Sequence, residues 1–225
     1  MKKPLGAFVF DLDGVITNTA EYHFIAWKAL AEELGITFTR TDNERLKGLS
    51  RMDSLERILQ MGGRTGQFSA EEKEKLAAKK NNHYITLIQR IKPSDVLPGM
   101  KEFIFAVKDK DFKLGLASAS KNAAAVMESL RLKEVFDVIV DANTITHGKP
   151  HPEVFLTAAK LLNVGPSQCI GFEDAAAGVE AIKRAGMFAV AIGPKEYFPH
   201  ADIVYEKTED VSLEEILFFF QKAQT

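Results

Sequence analysis

Two aspartates stand two residues apart in Asp11-Leu12-Asp13-Gly14, directly after an apolar run from Ala7 to Phe10. In extended backbone, residues two apart share a face, so both carboxylates are pushed toward one point. Charges that close repel unless a cation or a shared proton offsets them. Magnesium with a phosphorylated ligand would do so, because it takes hard oxygen ligands and keeps positions open for substrate or water. A solvated turn that uses Gly14 for its backbone is the plain alternative. Further along, Ala117-Ser118-Ala119-Ser120-Lys121-Asn122 offers hydroxyls and amides before a helix, a possible phosphate cradle, although an ordinary Ser or Asn N-cap is the commoner use. Lys149-Pro150 could place a point charge on phosphate or only a solvated lysine. Glu173-Asp174 is a second acidic pair, suited to a cation or to an exposed loop. Each signal is weak alone, yet they follow in order and complement one another chemically.

The elements that must position these residues alternate. Short apolar runs at Ala7–Phe10, Leu114–Ala117, Val138–Val140, Cys169–Phe172 and Phe188–Ile192 read as buried strands. Between them, Met100–Lys108, Ala123–Leu130, Glu153–Leu162 and Gly178–Ala185 carry apolar residues at three- and four-residue spacing, which predicts helices. Pro152 suits a helix start and Gly186 a helix end. Strand and helix in alternation imply an α/β parallel sheet covered on both faces with right-handed crossovers. Ligands of such sheets lie beyond the carboxyl ends of the strands, where the four polar clusters fall.

From about Thr19 to Lys92 the alternation stops, and helical spacing alone remains. Tyr22–Leu34 sets Phe24, Trp27, Leu30, Ala31 and Leu34 on one stripe, and Ser69 with Glu72 forms a capping box for a helix running toward Ile88. A helical insert after the first strand follows, with linkers near Ile16–Thr19 and Ile91–Ser94, an arrangement suited to a lid. Ser212–Gln221 predicts a last capped helix whose Phe218, Phe219 and Phe220 are expected to dock on the core rather than on a partner.

Composition sets the bounds. At about 150 residues per domain, 225 residues make roughly one and a half domains. A net charge of −2 supplies no basic field for nucleic acid or an anionic membrane. A 46% hydrophobic and 27% charged chain is globular in type. The lone cysteine, Cys169, excludes an internal disulfide and a multi-cysteine zinc site; within a strand it reads as a buried, inert thiol. The apolar run near the amino terminus is too short for a signal peptide or a membrane span, so a cytoplasmic protein is expected.

DLDGVIT, ASASKN, GKPHPE and FEDAAAGVEAIKRAG resemble, in order, the four motifs of the haloacid dehalogenase superfamily of phosphotransferases. TNTAEYHFIAWKALAEELGI and LKGLSRMDSL are similar to the cap of its sugar-phosphate mutases. The resemblance implies a Rossmann-like core over residues 1–17 and 93–225, and a small all-helical cap over 18–92. It implies an isomerase, interconverting beta-glucose 1-phosphate and glucose 6-phosphate through a beta-glucose 1,6-bisphosphate intermediate, with Asp11 as the nucleophile that becomes an aspartyl phosphate. Asp13 would be general acid and base. Mg2+ would be held by Asp11, the Asp13 carbonyl, Glu173 and Asp174. Ser118 and Lys149 would hold the transferring phosphoryl group, with Ala119 and Asn122 beside them. Thr19, Lys47, Gly48, Arg51 and Ser54 would face the substrate, Arg51 gripping the second phosphate. His23 and Lys80 match positions that couple cap closure to the acid/base. The partners so implied are small sugar phosphates, bound by a monomer.

Asn18 stands where relatives often carry Asp, and Ala175 where serine is common, which touches the metal's surroundings but no direct ligand. Gly62–Gly66 lacks the Gly-Lys-Ser/Thr ending of a P-loop and reads as a loop. His147 and His151 are four apart, but Pro150 and Pro152 disfavour a helix there, so no zinc site is expected. The competing activities are a sugar-phosphate phosphatase using the same residues and a catalytically dead binding protein; the latter predicts loss of acids that this chain retains.

Overall fold

The computed structural model describes residues 4–46 and 49–224. Its centre is a parallel sheet of β1 (Ala7–Phe10), β2 (Lys113–Leu116), β3 (Val138–Ile139), β4 (Cys169–Glu173), β5 (Phe188–Ile192) and β6 (Ile203–Tyr205), in the order β3-β2-β1-β4-β5-β6. Strand β1 is held in register on both sides, Phe10 pairing with Leu116 of β2 and with Phe172 of β4. Strand alternation divides the core. Phe8 and Phe10 pack with Phe103 of α5 (Met100–Lys108), Val126 of α6 (Ala123–Ser129) and Ile216 of α9 (Leu213–Ala223). Ala7 and Val9 face the other way, onto Phe155 of α7 (Glu153–Leu162) and Ile182 of α8 (Ala176–Arg184). Both faces are thereby covered, as a parallel sheet requires. The three-residue β6 lacks a long apolar run and was not among the sequence expectations.

Between β1 and α5 lie four α-helices and no strand among the described residues: α1 (Ala20–Glu33), α2 (Arg40–Glu44), α3 (Arg51–Met61) and α4 (Ala70–Ile88). Phe24, Trp27, Leu30, Leu55, Ile58, Leu59 and Ala77 give them a hydrophobic cluster of their own. The Ser69–Glu72 capping box starts α4 as its sequence dictates. Where the chain leaves and re-enters the sheet layer, the two crossings run side by side: the Leu97 amide donates to the Ile16 carbonyl at 2.8 Å and Thr17 Oγ1 to the Asp95 carbonyl at 2.6 Å. No helix among the described residues is long and apolar enough to cross a membrane.

The aromatic triplet of α9 does not dock as a unit. Phe220 is 3% exposed and meets Phe188 edge-on at 5.7 Å, whereas Phe218 is 62% exposed. Successive helical residues are about 100° apart, so three in a row cannot face one core. Phe220→Ala is expected to cost about 3–5 kcal/mol and Phe218→Ala less than about 0.5 kcal/mol, read from urea midpoints of the two variants.

Candidate active site

The carboxyl ends of β1, β2 and β4 converge. Asp11 follows β1 directly, its amide donating to the Phe172 carbonyl of β4 at 3.0 Å, so backbone pairing fixes where its side chain starts. The carboxylate accepts from two sides: Lys149 Nζ on Oδ1 at 2.6 Å and the Asp13 amide on Oδ2 at 2.9 Å. Lys149 also bonds Glu173 Oε1, and Glu173 Oε2 accepts the amides of Asp174 and Ala175 at 3.1 Å each. Lys149 and Glu173 are buried. Burial works against the lysine's charge, but the Asp11 and Glu173 carboxylates outweigh it and hold the ammonium protonated. Burial pushes Glu173 up, with Lys149 opposing.

Asp11, Glu173 and Asp174 each offer a carboxylate oxygen, all within 4.8 Å of one another. A cluster of hard oxygens with no nitrogen or sulfur is the donor chemistry that magnesium takes, so these residues fit that ion. The approach is tight: Gly14 has φ +73°, and a Cβ there would lie 2.1 Å from Asp174 Oδ2. A side chain at position 14 is therefore excluded both by conformation and by the acid beside it.

Asp13 lies above this cluster. Thr19 Oγ1 donates to its Oδ1, and His23 Nε2 faces Oδ2 at 3.9 Å. Burial foremost, then the charges of Asp11 and Asp174, push the Asp13 carboxyl up to about 8, so it carries a proton at neutral pH. Because the Thr19 hydroxyl is committed to Asp13, it does not cap α1; Asn18 Oδ1 takes the Ala20 amide instead, at 3.2 Å. Ala175, which has no side-chain cap to offer α8, has its amide satisfied by Glu173.

Helices α1, α3 and α4 supply the opposite wall. Lys80 is buried, 2.8 Å from His23 Nδ1, with Trp27 and Tyr84 under its ammonium at 4.5 and 4.8 Å. Burial, then Arg51, lowers Lys80 to about 7. Burial, then Lys80 and Arg51, holds His23 well below its usual value, so the imidazole is neutral. With Lys80 in its ammonium form, which donates to Nδ1, the ring proton sits on Nε2, toward Asp13. The Tyr84 ring lies against His23 with centroids 4.1 Å apart and planes tilted by 34°.

Together these groups bound a pocket with about 830 Å³ of empty space, its open mouth included. Asp11, Asp13, Ser118, Ala119, Asn122 and Asp174 form one side, and His23, Arg51, Ser54 and Lys80 the other. Thr19, Lys149 and Glu173 are buried behind that surface and act on it through Asp13 and Asp11. Lys47 and Gly48 lie outside the described residues. Asn122 starts α6 but does not cap it; its Nδ2 donates to Asn81 Oδ1 of α4 at 2.9 Å, joining the two sides.

The sequence reading missed several residues of this wall. Trp27 was assigned only to an apolar stripe, and nothing marked the buried amide of Asn43 or the side chain of Asn81, all of which line the pocket. Ser120 and Lys121 also line it, and they lie inside the quoted ASASKN motif, so adjacency was the available signal. Cys169 is buried as expected, and burial pushes its thiol up to about 12.

Comparison with known proteins follows the same lines. The model of the haloacid dehalogenase-like hydrolase family matches residues 5–186. Beta-phosphoglucomutase of Bacillus subtilis is 49% identical over 208 residues, 92% of each chain. The phosphorylated carbohydrates phosphatase of Thermotoga maritima is 32% identical over 183 residues, 80% of this chain and 82% of the other. The crystal structure of a beta-phosphoglucomutase from Clostridium difficile superimposes with a TM-score of 0.96 at 47% identity, covering 97% of this chain and 98% of that one.

Proposed function

Because the chain belongs to the haloacid dehalogenase-like hydrolase family, we propose from that premise that it acts as a beta-phosphoglucomutase. It is an isomerase that interconverts beta-glucose 1-phosphate and glucose 6-phosphate. The observation that carries this reading over a phosphatase is the 49% identity to the Bacillus subtilis mutase across 92% of both chains, against 32% to the Thermotoga phosphatase.

The chemistry starts at Asp11. Each of its oxygens accepts one hydrogen bond and keeps a second lone pair, so the carboxylate is fixed in direction yet free to attack. One oxygen attacks phosphorus; an Asp11–phosphorus bond forms as the sugar oxygen–phosphorus bond breaks, and Asp13 gives its proton to the departing sugar oxygen. In the second half Asp13 takes the proton of the incoming sugar hydroxyl, whose oxygen attacks phosphorus and releases the Asp11 carboxylate. Asp11, Asp174, Glu173 and the Asp13 carbonyl would hold magnesium, which when bound supplies charge neutralisation at the transferring group. Lys149 adds a fixed positive charge, and Ser118, with the neighbouring Ala119 and Asn122, orients the phosphoryl oxygens. Thr19 and His23 hold Asp13 toward the sugar, and Lys80 holds His23.

Isomerisation requires that the sugar carry phosphate at both ends in turn, so beta-glucose 1,6-bisphosphate would form, reverse its direction and be cleaved at the other end. Arg51 and Ser54 lie across the pocket from Asp11 and suit the phosphate that is not reacting, Arg51 by its planar fork. Residues 18–92 would act as the cap, closing over the sugar so that the phosphoenzyme meets a hydroxyl before water.

Arg51→Ala tests the assignment directly. The variant should lose about 10²-fold or more in turnover with the sugar bisphosphate, the cost of a lost charge-assisted pair, while phosphorylation of Asp11 by acetyl phosphate stays within about twofold. Equal losses with both phosphodonors would place Arg51 outside substrate recognition.

A further inference from the structure

The turn between β3 and α7 gathers three side chains that phosphoryl transfer does not use. The rings of His147 and His151 lie tilted by 37° to one another with centroids 4.5 Å apart. His147 Nδ1 is 2.8 Å from Glu153 Oε2, and His151 Nδ1 is 3.8 Å from the same oxygen. The ligating atoms of all three lie within 4.8 Å of one another. No helix is needed to bring the histidines together. The His151 amide donates to the Gly148 carbonyl at 3.0 Å, and this tight turn folds the second ring back over the first. Pro150 and Pro152 disfavour a helical pair of histidines, as the sequence reading holds; the turn brings the rings together without one.

We propose that His147, His151 and Glu153 form a binding site for a divalent transition metal of the zinc class, separate from the oxygen cluster around Asp11. Two imidazoles and one carboxylate are the donor set that zinc and its neighbours take, and that magnesium does not. Ligands about 2 Å from a tetrahedral ion are about 3.3 Å apart. The present spacing therefore closes onto an ion with small rotations of two rings that are largely exposed, at 62% and 49% of their side-chain surface. The carboxylate is already held in place: Glu153 Oε1 accepts the Thr146 amide at 2.8 Å and Oε2 the His147 amide at 2.9 Å. Those backbone bonds survive when the ion takes the place of the Nδ1 contact, leaving a fourth position for water. Lys149 lies within the same turn, so a bound ion would tie both flanks of the residue that reaches Asp11 and Glu173.

The test is a zinc chloride titration of protein labelled with ¹⁵N-histidine, in excess magnesium so that the oxygen cluster is occupied. The ring nitrogen signals of His147 and His151 should move together and saturate at one equivalent, with those of His23 unchanged. His147→Ala and His151→Ala should each weaken binding by about tenfold or more; both residues are exposed, so folding is not at risk. Ring signals of His147 and His151 that stay fixed under excess zinc would overturn the proposal. Undiminished affinity in both alanine variants would do the same.

Discussion

Asp11→Asn should abolish phosphoenzyme formation and lower turnover by about five orders of magnitude or more, the scale seen when a covalent nucleophile is removed. An amide nitrogen cannot open an acyl phosphate route, and the amide oxygen is a far weaker nucleophile than a carboxylate. The fold should persist. Asp11 accepts from Lys149 and from the Asp13 amide, so an asparagine turns one donor toward a donor and loses one bond. Against that loss, the substitution removes one negative charge from a cluster that also holds Glu173 and Asp174. Hydroxylamine-labile phosphate on the protein is the readout; labelling of the variant at the wild-type level would remove Asp11 from the nucleophile's role.

Asp13→Asn should separate the two halves of the reaction. Transfer to and from sugar needs a proton at the bridging oxygen, and losing a positioned acid and base costs about 10²–10⁴-fold. Acetyl phosphate leaves as acetate, which needs no proton, so the variant should still phosphorylate Asp11 from it. Asparagine keeps an oxygen for the Thr19 hydroxyl, which now donates to Asp13 Oδ1, so the geometry is retained. Trapped phosphoenzyme that sugar phosphate fails to discharge is the expected result. Equal loss with both donors would mean that Asp13 serves mainly to build the site around Asp11.

The parts of this site that were legible from sequence are those encoded locally. Asp11, Ser118 and Glu173 each end or follow an apolar run, and the backbone of a parallel sheet brings such positions together whatever else the chain does. The unbroken apolar run Ala7–Phe10 likewise announces a strand buried on both faces. Pairings across the fold were not legible. Nothing near Lys149 says that Glu173 will share it with Asp11, and the lysine read from sequence as a phosphate ligand is engaged by both acids. Asn122 carried the signature of an N-cap but reaches Asn81 instead. Trp27 was hidden because an aromatic that packs on one side and lines a pocket on the other has the same helical spacing as one that only packs. The exposed Phe218 shows the converse error, in which composition suggested docking and helical geometry forbade it.

The central claim is that the phosphoryl group returns to sugar rather than to water. Purified protein with magnesium, beta-glucose 1-phosphate and a trace of beta-glucose 1,6-bisphosphate, followed for glucose 6-phosphate and free phosphate in one tube, tests it most directly. The account predicts glucose 6-phosphate in large excess over phosphate. Phosphate released without glucose 6-phosphate would contradict it and leave a phosphatase built on the same sheet and the same aspartates.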